Sequence, residues 1–199
     1  MNRVIRVPKA LRDVFGGTQT PAEIVFVLVA AVGFGAAICV TGADVLATVP
    51  VWRAVLAVLL IVDVAAGCVA NFTFGTDTHY AARPAGRWVF ILIHWHLVAV
   101  GALLGLALVP LLLVTGYVLL AASAVNLLHG RRLQVTAGGF LVAAGILGIV
   151  LWMPLYSPPF IVATAALFVM KVVFAFAVTH HSEVGHSAAE TLAGASRGR

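Results

Sequence analysis

Hydrophobic residues along this chain gather into six runs, at about 23–42, 51–71, 87–107, 110–128, 134–153 and 159–180. Each is close to the roughly 20 residues that an α-helix needs to cross a hydrocarbon layer of about 30 Å. The breaks between them are chemically apt: Thr41-Gly42, the polar stretch from Asn71 to Arg87, Pro110, Gly130-Arg131-Arg132 and Ser157-Pro158-Pro159. Trp52, Trp88, Trp152 and Tyr156 fall near the ends of runs, where amphipathic rings favour the headgroup level. The pattern predicts an all-α polytopic membrane protein, a bundle of six transmembrane helices.

Composition sharpens this picture. Of 199 residues, 62% are hydrophobic and only 10% charged, whereas a soluble domain carries about a quarter charged residues. The net charge of +5 does not form a basic stripe for nucleic acid; it punctuates the apolar runs. Arg3, Arg6, Lys9 and Arg12 precede the first run, Arg83 and Arg87 follow the second, Arg131 and Arg132 follow the fourth, and Arg197 and Arg199 end the chain. The intervening connections hold only Arg53. This one-sided distribution predicts cytoplasmic termini and a multi-pass protein of the plasma or inner membrane.

Residues 1–20 contain no apolar stretch suited to a signal peptide and read as a basic segment, either amphipathic on an anionic surface or disordered. Residues 21–180 form the transmembrane domain, and 181–199, rich in small residues, read as a flexible cytoplasmic tail. Cys39 and Cys68 lie in different runs without a C-x-x-C spacing and read as packing residues.

Most groups able to do chemistry lie between Asp63 and His96. An ionisable side chain in hydrocarbon costs about 2.5 to 3.5 kcal/mol on insertion scales, so Asp63, His94, His96 and the distant Lys171 each need a reason to be there. At 1.5 Å per helical residue, Asp63 lies about 12 Å, Lys171 about 14 Å, and the two histidines about 10 to 14 Å from the cytoplasmic ends of their runs. Shared depth permits an Asp63–Lys171 ion pair and a common site with Asp63, as acid or base, His94, His96 and Lys171 as its catalytic residues. Ala66, Gly67, Ala70 and Asn71 follow Asp63 at helical spacings, giving it a small face suited to close packing away from lipid.

In an unbroken helix, His94 and His96 point roughly 200° apart, so they are expected to face different neighbours and not to chelate one ion. No metal site is expected, and a haem lacks a second deep histidine; the sequence indicates no particular cofactor. His180, Glu183 and His186 carry ligand types but precede a run of small residues. The connection offers Asn71, Asp77, His79 and Tyr80 as donors and acceptors and Arg83 and Arg87 as cations for a headgroup, with Tyr117 extending the polar lining as a further substrate-binding residue. The N-D-x-x-D of prenyltransferases, the D-G-x-x-A-R of CDP-alcohol transferases and Walker motifs are absent.

Three classes of function follow. Polar groups confined to one half of the bilayer favour an intramembrane enzyme doing acid/base chemistry on a lipid-like or isoprenoid-like substrate, with membrane lipids and such a hydrophobic small molecule as partners. The alternative is a proton-linked transporter or channel. The third is a structural or assembly protein whose polar residues lock helices, and a homo-oligomer is compatible with all three.

Overall fold

A computed structural model describes residues 4–9 and 12–181 of the chain. Six helical segments are long and apolar enough to cross a membrane: Pro21–Thr41, Val51–Ala70, Pro84–Leu104, Leu108–Leu127, Leu133–Leu155 and Pro159–Phe176, here spans one to six. The chain is a multi-pass helical bundle, and its span boundaries fall within a few residues of those read from the hydrophobic runs. Span two is the single helix α5, Val51–Ala70; span four is α9, Leu108–Leu127; span five is α10, Leu133–Trp152, with a short 3₁₀ turn. Span six, α11 at Pro159–Val169 continued by a π-helical stretch at Met170–Phe176, is the most buried.

Helix starts follow local chemistry. Thr20 caps α2 (Pro21–Val29), accepting the Glu23 N–H while the Glu23 carboxylate takes the Thr20 N–H at 2.6 Å, and Pro21 sits in the first turn. Prolines likewise open span three at Pro84 and span six at Pro159.

Span three departs from a single rod. It consists of α7, Pro84–Leu92, and α8, His96–Leu104, with Ile93 to Trp95 outside regular helix. A break at membrane depth must have its freed carbonyls satisfied. The ring of His94 donates to Phe90 O and the indole of Trp95 to Leu92 O at 2.9 Å. The side chains at the break thus cap the helix that it interrupts. Beyond it, α8 lies along α5, while α7 diverges toward α9 and α6, the short helix Phe74–Ala81 that joins spans two and three.

The amino-terminal residues, expected to lie on the membrane or remain disordered, form a hairpin in which β1 (Ile5–Arg6) pairs antiparallel with β2 (Thr18–Gln19) around the short α1 (Arg12–Phe15). The hairpin docks on α6 at backbone distance. A Cβ on Gly16, whose φ is +68°, would fall 1.9 Å from Gly75 O, and one on Gly75 would fall 1.7 Å from Thr18 O. Gln19 donates to Thr73 Oγ1 at 2.8 Å and Glu23 accepts the Phe74 N–H at 3.2 Å. Basic charge alone could not reveal this packing, which rests on two glycines far apart in sequence.

The other end of the described chain reaches the same helix. Asp77 of α6 accepts the N–H of His180 and, at 2.8 Å, that of His181. Both ends therefore meet at the α6 end of the bundle. Reporter fusions after Gly130 and at the carboxyl terminus are both expected to report cytoplasm, in line with the arginine distribution; a periplasmic signal at either would reverse the orientation.

Candidate functional site

At mid-span, three side chains from three spans converge on one oxygen. Lys171 Nζ donates to Asp63 Oδ2 at 2.6 Å and to Asp63 O at 3.3 Å, and His96 Nε2 lies 3.1 Å from the same Oδ2. The Asp63–Lys171 pair expected from depth is present, and His96 completes it. Asp63 Oδ1 has no hydrogen-bond partner among the described residues.

The small face of span two makes this possible. A Cβ at Gly67 would stand 2.3 Å from Lys171 Cε and 2.7 Å from Cδ, so the lysine stem runs through the space that the glycine leaves. On either side of it, Cys68 Sγ donates to Leu167 O at 3.0 Å and Asn71 Nδ2 to Lys171 O at 3.3 Å. Lys171 itself lies in the π-helical stretch of span six. Such stretches are rare and recur at functional sites because the wider turn re-aims side chains.

Two orientations differ from those expected. The break in span three brings His94 and His96 to one side, with ring centroids 4.8 Å apart and Phe168 beside both. The opposed geometry of a continuous helix does not apply, because the helix ends at Leu92 and restarts at His96. Asp63, expected to be enclosed by its small face, has a side chain 47% exposed, while that of Lys171 is 5% exposed. Gly67 and Asn71 are buried against span six, whereas the carboxylate is half-exposed. The carboxylate is therefore anchored from inside and open from outside.

His96 Nε2 faces the Asp63 carboxylate, while Nδ1 is buried without a hydrogen-bond partner.

The remaining residues read as substrate-binding lie elsewhere. Arg87, expected to face a headgroup, is 2% exposed; it donates to Asn126 Oδ1 at 2.6 Å and Ala177 O at 2.7 Å and covers the Phe176 ring. Gln134, which the sequence reading passed over, donates to the same Ala177 carbonyl at 2.9 Å. Asp77 holds the end of span six, and Arg83 meets His79 at 2.8 Å. Tyr80 packs edge-on against Phe90 and Phe176. Tyr117 donates to Leu141 O and rests against Gly145 of span five. His129, between spans four and five, shares a proton with Thr179 Oγ1 at 3.0 Å, and burial, aided by the Arg87 charge, lowers its pKa below the usual imidazole value. Apart from those of Tyr117, which lie between spans four and five, these contacts form a polar knot around the end of span six, separate from the Asp63 cluster. Of the tail histidines, His180 bonds Phe174 O and His181 bonds Phe72 O, while Glu183 and His186 lie outside the described residues. Among the described residues, no group of three or more His, Cys, Asp or Glu has a geometry suited to a metal ion.

No protein-family model, curated protein or solved structure matches this chain.

The cluster's energetics are asymmetric. Removing one partner of a buried pair costs about 3 to 5 kcal/mol, chiefly because the other charge is left uncompensated. Asp63→Ala strands an enclosed ammonium, whereas Lys171→Met leaves a half-exposed carboxylate still bonded to His96. Thermal denaturation in detergent should therefore show a larger Tm loss for Asp63→Ala than for Lys171→Met, with the double variant recovering part of it. Equal, strictly additive losses would count against the pair.

Gly67→Ala gives a second, independent expectation. It should lower Tm in the native background and have little effect beside Lys171→Ala, which removes the stem that the new methyl would strike.

Proposed function

We infer that this protein is an intramembrane enzyme that performs acid/base chemistry on a lipid-like substrate entering from the flank of the bundle. One observation carries the reading: a carboxylate fixed on one oxygen by an ammonium and an imidazole, yet half-exposed at mid-span. A proton acceptor needs just this combination, because positioning requires firm partners and reaction requires a free lone pair within hydrogen-bond reach of the reacting group. In this reading Asp63 exchanges the proton through Oδ1. Lys171 supplies the counter-charge that limits the cost of holding a carboxylate at this depth. His96, whose Nε2 lies 3.1 Å from Oδ2, is the neighbour able to exchange a proton with the carboxylate, and His94 beside it is the next imidazole. The Arg distribution supports a cytoplasmic α6 end, and with that orientation the site lies toward the inner leaflet.

A proton-linked transporter is the second reading, favoured by a specific feature. Span three is broken and span six is π-helical at the depth of Asp63, and discontinuous helices line the central sites of many transporters.

The test separates chemistry from helix locking. Asp63→Asn retains shape and an acceptor oxygen but removes the titrating proton, and proton-transfer roles are worth about 10² to 10⁴ in rate. Rescue of a deletion strain, normalised to folded protein in the membrane, should collapse for Asp63→Asn and fall substantially for His96→Gln. The double variant Asp63→Leu/Lys171→Leu, which carries no stranded charge, should regain stability without regaining rescue. Rescue that follows stability across all these variants would identify the cluster as a lock.

A further inference from the structure

The amino-terminal hairpin presents positive charge that the described bundle does not use. We propose, independently of the acid/base reading, that this hairpin is a preformed binding site for an anionic phospholipid, with Arg6 and Lys9 on the headgroup phosphate and Val4 and Ile5 beside the glycerol ends of the acyl chains.

Charge points to the ligand's class. Residues 4–19 hold Arg6, Lys9 and Arg12 against one carboxylate, Asp13. Arg6 and Lys9 are exposed and make no hydrogen bond or ion pair among the described residues. Arg12 turns inward instead, its Nε donating to Val7 O at 3.2 Å, and so closes the loop that carries Lys9. The acid of span one, Glu23, is spent on the N–H groups of Thr20 and Phe74. Two exposed cations are thus left without a bonded partner. A phosphodiester accepts charge-assisted hydrogen bonds from a guanidinium and an ammonium alike.

The fold holds these cations at headgroup level. Arg6 pairs with Thr18 in the β1–β2 ladder, and Thr18 stands two residues before Thr20, the N-cap of span one. Two extended residues cover about 7 Å. The headgroup zone outside the hydrocarbon is itself about 5 to 7 Å deep on each side, so Arg6 is kept where lipid phosphates lie. Val4 and Ile5, which precede it, are 59% and 41% exposed. An apolar pair next to a basic pair, one short strand from a transmembrane helix, fits a lipid headgroup and the carbon beneath it better than RNA or an acidic protein. The hairpin is also firmly seated: Gly16 lies on Gly75, Gln19 bonds Thr73, and the Val7 N–H bonds Gly17 O at 3.1 Å. A surface fixed in this way binds without first having to order a loose leader.

The test is native mass spectrometry of the full chain released from detergent and titrated with dioleoyl phosphatidylglycerol or dioleoyl phosphatidylcholine. The native protein is expected to prefer phosphatidylglycerol. In Arg6→Gln/Lys9→Gln the apparent Kd for that lipid should rise about tenfold or more, since each basic residue near a membrane surface contributes about fivefold. Phosphatidylcholine binding should not change. Arg131→Gln/Arg132→Gln removes two exposed cations from the loop between spans four and five and should have much the smaller effect. Gly16→Val keeps every charge but undoes the docked turn, and it should weaken phosphatidylglycerol binding as the charge variant does. Equal losses from the two charge variants would assign the preference to the overall charge of the protein and overturn the site. Undiminished binding by Gly16→Val would overturn its preformed character, and no lipid preference in the native protein would leave the hairpin as a clasp on α6 alone. Displacement of the lipid by inorganic phosphate or a short oligouridylate, each in millimolar excess, would reassign the surface to a soluble anion.

Discussion

A single electrostatic constraint organises the middle of this bundle: an ammonium enclosed in hydrocarbon must have a counter-ion within contact distance. Lys171 is enclosed, and Asp63 is its counter-ion. Much of the surrounding sequence follows. Gly67 is needed because the lysine stem occupies the volume of its side chain, and Asn71 and Cys68 secure span two to span six on either side of that stem. Span one also approaches at this level; a Cβ on Gly35 would lie 2.9 Å from Val62 Cγ2, next to Asp63. Spans one, two, three and six are thus held in register around one charge pair.

Span six is the element on which the other spans rest, and its departures from ideal helix are compensated by partners from other elements. The carbonyls of Leu167 and Lys171 take donors from span two, and that of Ala177 takes donors from Arg87 and Gln134. Where the helix ends, Asp77 collects two backbone N–H groups from His180 and His181. The buried Arg87 belongs to this arrangement. A guanidinium can donate in several directions from a fixed plane, so one side chain ties span three to spans four and six.

The hydrophobic runs made the six spans legible, and the spacing of Asp63 and Lys171 from the run ends made their shared depth legible. Their contact required one more step, that two opposite charges in hydrocarbon seek each other, and this too follows from composition. What remained hidden depended on tertiary geometry. Span three reads as continuous because it contains no internal proline or glycine near His94, yet it breaks there and His94 and Trp95 bond the exposed carbonyls themselves. Opposed histidines became neighbours through that break. Arg87 looked like a headgroup ligand and Asp77 like a substrate-binding acceptor because a loop between spans is usually wet; α6 folds the loop back onto the bundle and consumes both in internal bonds. The amino-terminal hairpin was invisible because its docking depends on Gly16 meeting Gly75, a coincidence of backbone across 59 positions.

A lock and a site make different demands on a carboxylate, and Asp63 meets the second set better. For locking alone, an ion pair has little advantage over well-packed apolar side chains of similar volume, which often stabilise a core as well or better. A pair kept only for register would also place both oxygens against donors, since an unmatched acceptor in hydrocarbon adds cost without adding specificity. Here Lys171 Nζ and His96 Nε2 both lie against Oδ2, and Oδ1 has no partner among the described residues. The break in span three that sets His94 beside His96 also sets His96 beside the half-exposed carboxylate, an arrangement suited to moving protons that a helix lock would not need.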